Sequence, residues 1–326
     1  MLSCCRPASG HTPFIFRRQE NHETVADLRS GLYTRCLTVN ARIQILIAAV
    51  LFSLGGLGIK LCSFGPWQIG GLRCAIAGIT ILLFLPESRR KWTGKIVVVG
   101  ATYAATLLLF VWANKTTTAA NTIFIQSSAP LWILLLSPLL LREPILRRDV
   151  LTLVVMGLGL VLFFMAPEKT TALSPEITKG NWLALASGFC FALEIMGLRS
   201  LRDGGSPAAL VCGNTIAFLA CLPLLIVGAP GTPQGFMTGS FRDWAVLIFL
   251  GTVQIALAYV FYTRGLRHLR ATRASLICLV EPIMSPLWVW LAFRVEKPGP
   301  LAVLGGALIL AAAAYQSTVH DPHRPA

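Results

Sequence analysis

AANTIFIQSSAPLWILLLSPLLLREP, residues 119–144, is the stretch on which the fold turns. As a helix rising about 1.5 Å per residue it crosses the hydrocarbon of a bilayer once. The chain then writes a second version, ATRASLICLVEPIMSPLWVWLAFRVEKP, at residues 271–298. Both versions have an alanine-rich start, a proline in mid-segment, a second proline, a tryptophan and a Glu-containing exit. Setting Pro130 over Pro282 places Ala119 over Ala271, so the chain reads as two related halves.

The surroundings support a membrane reading. A mean hydropathy of +0.69, with 55% hydrophobic and 13% charged residues over 326 positions, is too apolar for a soluble domain, and the apolar runs come in membrane-length blocks. The lipid bilayer is therefore the expected partner. The formal net charge of +14 does not point to nucleic acid, because no basic-aromatic patch accompanies it. Nine cysteines show no C-x-x-C and no Cys/His cluster at ligand spacing, so they read as packing thiols, with no metal site and no cofactor expected. A phosphate-binding G-x-x-x-x-G-K-[ST] loop is missing, which leaves a gradient of solute or proton as the energy source.

Residues 1–42 hold no membrane-length run and read as an unstructured cytoplasmic tail. Ten apolar blocks follow, at about 43–62, 67–86, 96–113, 118–141, 150–166, 182–201, 208–228, 244–263, 271–293 and 299–317. The division between the third and fourth is the thinnest, with only Asn114, Lys115 and three threonines between them. Of 28 Lys and Arg, only Lys60, Lys115, Lys169, Lys179, Arg242, Arg294 and Lys297 fall on the side opposite the N-terminus. Arg73 lies near the outer end of a span. That imbalance places both termini, including the tail 318–326, in the cytoplasm, and in a bacterium the membrane would be the inner one. PEKTTALSPEITKGN, residues 167–181, reads as a linker. The first half, 43–166, and the second, 182–317, each hold five spans. An odd number per half requires the two copies to lie in opposite orientations, the arrangement of secondary transporters with sites near midplane. The expected fold is thus all-α integral membrane, with ten transmembrane helices as two five-helix inverted repeats.

These pieces resemble the EamA family of the drug/metabolite transporter superfamily. The matching motifs are PWQIGGLR, with Arg73, in the second span; TTTAANTIFIQSSAP and REP in the first half; and YVFYTRGLRHLRATRASLICLVEP and VEKP in the second. The resemblance covers about residues 43–317. It departs from strict repetition where Ala129 precedes the first proline and Glu281 the second. It implies a carrier of small metabolites, often an exporter of amino acids or related compounds.

Ionisable groups inside the hydrocarbon are costly and hence informative. Glu281 lies about 8 residues, or ~12 Å, beyond Arg273, near midplane, and Pro282 frees the carbonyl one turn earlier near Cys278. It is the candidate for proton or cation coupling, against a bland reading as a locally bonded packing acid. Glu194, five residues from Arg199, reads as an ion pair with a neighbouring base or as a gate. Gln126 and Asn121 precede the Pro130 break and are candidates for substrate contact, whereas Ser127 and Ser128 read as packing. Tyr103, Gln254, Tyr259 and Tyr262 add a set able to stack on an aromatic or cationic solute. Trp112 reads as an interfacial anchor, and Arg73, which could snorkel outward or reach an anionic substrate, reads as a structural side chain. Gly157, Gly159, Gly305 and Gly306 signal close helix approach in spans 5 and 10, either within one chain or at a homodimer face.

Other classes fit less well. No histidine or aspartate falls at mid-membrane depth, so an intramembrane enzyme lacks its nucleophile and base and no catalytic residue is assigned. An uptake carrier for a vitamin- or nucleoside-like solute would use a similar cavity, and a non-transporting scaffold or lipid-handling protein would need none.

Overall fold

The computed structural model describes residues 20–140, 147–165, 170–201, 204–228, 239–266, 277–294 and 299–318, leaving aside the side chains of residues 20–39, Arg148, Leu266, Ser317 and Thr318. Two compact units meet at the Asn40–Ala41 junction. Within the first, the chain is helical from Glu20 onward, where the sequence suggests an unstructured tail. Everything below concerns the second unit.

The described residues of this unit are helical apart from short turns. Helix α1 spans Glu20–Leu61, α2 Pro66–Phe84, α3 Gly94–Thr116, α4 Ala119–Gln126, α5 Ala129–Leu140, α6 Arg147–Met165 and α7 Ile177–Arg199. Then come α8 Ser206–Val227, α9 Phe241–Phe249, a π-helical segment Leu250–Leu257, α10 Ala258–Leu266, α11 Val280–Phe293 and α12 Pro300–Thr318. Among the described residues seven helical stretches are long and apolar enough to cross a membrane, and Asp149–Met165, Val280–Phe293 and Pro300–Gln316 are shorter apolar helices. Arg142, Glu143, Arg273, Glu296 and Lys297, which carried the depth and exit readings, lie outside the described residues.

Local chemistry sets the boundaries. Pro66 opens α2, where its missing N–H costs nothing, while Gln68 Oε1 accepts from Gly65 N at 2.9 Å. The thin division between the third and fourth spans is real: Thr117 is extended (φ −123°, ψ −177°) and Thr118 Oγ1 accepts from Asn121 N at 3.1 Å, capping α4. The α4 and α5 helices are one span broken at Ser127–Ser128, whose hydroxyls turn back onto Ile123 O at 2.7 Å and Ile125 O at 2.6 Å. Such back-bonding, with Pro130 unable to donate, unwinds a helix locally. The second copy breaks at the matching place, with a turn at Leu279 just before Glu281 and Pro282.

The outward face of the bundle is apolar. On α6, Val150, Leu151, Val154, Leu158, Val161 and Met165 are exposed at helical spacing, while Thr152, Met156 and Phe163 are buried. This inverts the pattern of a soluble helix and suits a lipid surround.

Buried contact depends on glycine where helices cross. A Cβ on Gly159 would lie 2.8 Å from the Gly305 carbonyl, and one on Gly305 would lie 2.7 Å from the Gly159 carbonyl. The pair therefore joins α6 to α12 inside one chain, which settles the use of these two glycines. Gly159→Ala is expected to lower stability by about 1–3 kcal/mol through overpacking against rigid backbone. Gly157→Ala, with nothing within 4 Å, is expected to leave it unchanged or slightly raised. Thermal unfolding of the two variants in detergent checks this, and equal midpoints would mean that α6 and α12 separate without cost.

Candidate functional site

Both helix breaks face one cavity of about 510 Å³, of the size that holds a small solute. Its wall takes Phe52 from α1, Arg73 from α2, Thr106 and Phe110 from α3, and Gln126 and Pro130 from the first break. It takes Glu194 from α7, Gln254 from the π segment, Tyr259 and Tyr262 from α10, Cys278, Glu281 and Pro282 around the second break, and Gln316 from α12. The rest of the lining is largely aliphatic and aromatic.

Glu281 sits one residue into α11, half-buried in the wall. Among the described residues its carboxylate has no hydrogen-bond partner. Pro282 leaves the Cys278 carbonyl without its helical donor, and Cys278 and Glu281 both line the cavity. Glu194 is buried and accepts from Tyr259 Oη at 3.4 Å, with Thr106 as its other polar neighbour. The ion pair with a base is not formed among the described residues. Arg199 lies more than one helical turn further along α7 and is solvent-facing, so a phenol and a threonine take its place.

Gln126 Nε2 donates to Ser187 Oγ at 2.8 Å, and Ser187 Oγ donates to Thr106 O at 3.1 Å. This chain ties the first break to α7 and α3. Gly188 permits the approach, since a Cβ there would meet the Gln126 carbonyl at 3.2 Å. Gln254 Nε2 reaches Phe52 O at 3.3 Å, leaving its Oε1 buried without a partner. Phe52, Tyr259 and Tyr262 form an edge-to-face cluster, with centroids 5.0 Å apart for Phe52–Tyr259 and 6.4 Å for Tyr259–Tyr262.

Two expected contacts stand behind the wall. Tyr103 is fully buried; its hydroxyl accepts from Asn214 Nδ2 at 3.3 Å and its ring meets Tyr259 at 5.8 Å, so it supports a lining residue. Asn121 points to α7, donating from Nδ2 to Asn181 Oδ1 at 3.1 Å, where Thr117 Oγ1 also donates at 2.9 Å. Its position along the chain suits the cavity, but its direction around the helix does not. Arg73, read as structural, is buried and also lines the cavity. The signal for it was present as a lone arginine inside an apolar run.

The C-terminal end of α1 is tied to several neighbouring elements. Lys60 Nζ donates to Thr117 O at 2.8 Å, to Ser174 Oγ at 3.2 Å and to Leu173 O. Lys115 Nζ donates to Cys62 O at 2.6 Å. Asp243 accepts from Ser63 N at 2.7 Å and Ser63 Oγ at 2.6 Å.

The model of the EamA-like transporter family matches residues 40–165 and again 178–318. The chain belongs to this family. Similar proteins include an uncharacterized transporter of Archaeoglobus fulgidus, 27% identical over 63% of this chain and 70% of the relative. The pseudopaline exporter CntI of Pseudomonas aeruginosa strain UCBPP-PA14 is 25% identical over 75% of this chain and 84% of that protein. The uncharacterized transporter YyaM of Bacillus subtilis is 22% identical over 76% and 81%. A solved crystal structure shares the fold with a TM-score of 0.57, at 20% identity, over 85% of this chain and 96% of that one.

As an EamA-like transporter, the chain is a multi-pass membrane protein with a small-molecule substrate. The EamA-like cavity offers such a solute two carboxyl groups, one guanidinium, three amides and five aromatic rings within apolar walls. That is enough to orient a polar solute by a few groups while its body is held by contact.

Proposed function

We propose that this EamA-like protein is a secondary-active, alternating-access exporter of a small metabolite such as an amino acid or related compound. The observation that carries the reading is the meeting of both helix breaks, with Glu281 beside one and Gln126 beside the other, on a single cavity. Broken helices that present loose carbonyls to a cavity are how transporters hold solute and coupling ion. Ten spans as two inverted five-helix halves, 43–166 and 182–317, are supported by the paired breaks, by the reciprocal Gly159–Gly305 contact and by the double family match.

Orientation follows the basic residues, with both termini in the cytoplasm and, in a bacterium, the inner membrane as the location. The cavity then extends from midplane toward the cytoplasm, past Glu194, Leu198 and Gln316, and the Lys60 and Asp243 contacts close the outer face. Outward transport is supported by the relative named as a pseudopaline exporter. The fit of α6 to α12 supports a monomeric carrier over a homodimer built on that face. Glu281 carries the coupling proton or cation, and Gln126, Gln254, Tyr259 and Tyr262 contact the solute, with Tyr103 and Asn121 bracing them. Glu194 serves as the gate beside Tyr259. An uptake carrier for a vitamin- or nucleoside-like solute would share this cavity but run inward.

Comparing metabolites inside and outside cells with and without the protein finds the solute and the direction. Counterflow of that solute in proteoliposomes is then expected. Its absence with folded protein would leave a membrane scaffold or lipid-handling protein instead.

A further inference from the structure

Arg73 is 1% exposed, yet it lines the cavity. A guanidinium keeps its charge in any protein environment and brings five N–H donors. Among the described residues one of these is used on protein oxygen, from Nη2 to Leu107 O at 3.3 Å. The Cys74 thiol and the Tyr103 and Tyr259 hydroxyls are its other polar neighbours, and Nε is buried with no partner. No ion pair is formed between it and a carboxylate of the described residues.

A tie from α2 to α3 through one long hydrogen bond does not account for a full charge. A neutral glutamine would tie the helices as well, without the several kcal/mol that an unpaired buried ion costs. The unused donors must be met by something that enters the cavity. A guanidinium fork matches a carboxylate in two parallel hydrogen bonds. The lining also selects among anions. Arg73 is the basic residue of the described wall, against the two carboxyl groups of Glu194 and Glu281, so a multiply charged phosphate finds too little positive charge. Phe52, Leu107, Phe110 and Ile255 around it suit an organic body.

We propose that Arg73 forms an anion subsite in the cavity that takes the carboxylate of an organic monocarboxylate. That this solute is the transported one rests on the carrier reading; the binding does not.

The test is ligand-induced thermal stabilisation of the full chain in nanodiscs, read as a dose response. The probes are L-phenylalanine, phenylalaninamide, 3-phenylpropanoate and phenethylamine, with a series of smaller monocarboxylates and their amides, chloride and inorganic phosphate. At least one acid is expected to bind about ten- to a hundred-fold more tightly than its amide, the loss of charge-assisted hydrogen bonds. Arg73→Gln should erase that difference and Arg73→Lys should keep part of it. Should Arg73→Gln fail to fold, the acid-to-amide ratio on the wild-type chain decides alone. The proposal is overturned if no acid outbinds its amide, if chloride or phosphate stabilises as well as the acids, or if Arg73→Gln keeps the preference. Acid-selective binding without counterflow would sink the carrier reading and leave the subsite standing.

Discussion

Replacing Glu281 by glutamine is expected to abolish proton-driven transport while leaving solute exchange. The carboxyl stands in the cavity wall just after the break at Leu279, unpaired among the described residues, in a wall that also holds Cys278, whose carbonyl Pro282 cannot meet. A site that must bind and release a proton or cation in each cycle cannot be tied into a permanent ion pair, and Glu281 is not. Glutamine keeps the shape and the hydrogen-bonding oxygen but has no proton to exchange. With one proton per solute, an imposed difference of about one pH unit can drive about ten-fold accumulation, because about 1.4 kcal/mol is a factor of ten. In proteoliposomes the wild-type protein should reach a gradient of that order and Glu281→Gln should reach none, while both support counterflow. Glu194→Gln is the comparison, since Tyr259 already holds that side chain at 3.4 Å and a neutral amide can take its place. If Glu281→Gln accumulates solute as the wild-type does, Glu281 is a packing acid and the coupling group lies elsewhere.

Where a helix begins and ends was legible in the sequence, and direction around a helix was not. Apolar length alone put the α2 and α3 helices within a few residues of their observed ends, because hydrocarbon thickness fixes how many apolar residues a span needs. The three threonines at 116–118 were enough to divide two spans, since Thr118 caps the following helix. Aligning Pro130 with Pro282 located both helix breaks, because a missing N–H has the same consequence in either copy. Asn121 shares the depth range of the cavity but turns toward Asn181, and Tyr103 is one ring too far back. A helix that is apolar all round gives no amphipathic stripe from which to read the inner face. The π segment Leu250–Leu257 had no sequence signature either. Its i→i+5 bonding follows from tertiary fit, with Gly251 so close to α2 that a Cβ would sit 2.9 Å from the Arg73 carbonyl. That segment turns Gln254 into the cavity, so the amide was found from its residue type while the geometry presenting it was not.

The second large effect concerns the closed end. Lys60 is 6% exposed and ends α1. Its ammonium joins the α3–α4 junction, through Thr117 O at 2.8 Å, to the 171–174 turn, through Leu173 O and Ser174 Oγ at 3.2 Å. The next residues are gripped from α3, by Lys115 on Cys62 O, and from α9, by Asp243 on Ser63. The connection after α1 is thus held by elements of both halves. Methionine at position 60 keeps the length and loses the donors, leaving buried carbonyls unmet at a cost of about 3–5 kcal/mol to the closed arrangement. If these bonds exist only while the outer face is closed, the same energy biases the conformational equilibrium toward outward opening, by about a hundred-fold or more. Cys62, 1% exposed and inside this cluster, is a built-in reporter. In a variant whose other cysteines are serine, Lys60→Met is expected to make Cys62 react with a membrane-impermeant maleimide added from outside, where the Lys60 parent does not. Glu281→Gln should leave that labelling unchanged. A folded Lys60→Met protein whose Cys62 stays as protected as in the parent would show that these contacts are a static brace, and that the outer gate must be sought nearer to Trp67 and Trp112, whose rings meet at 4.9 Å.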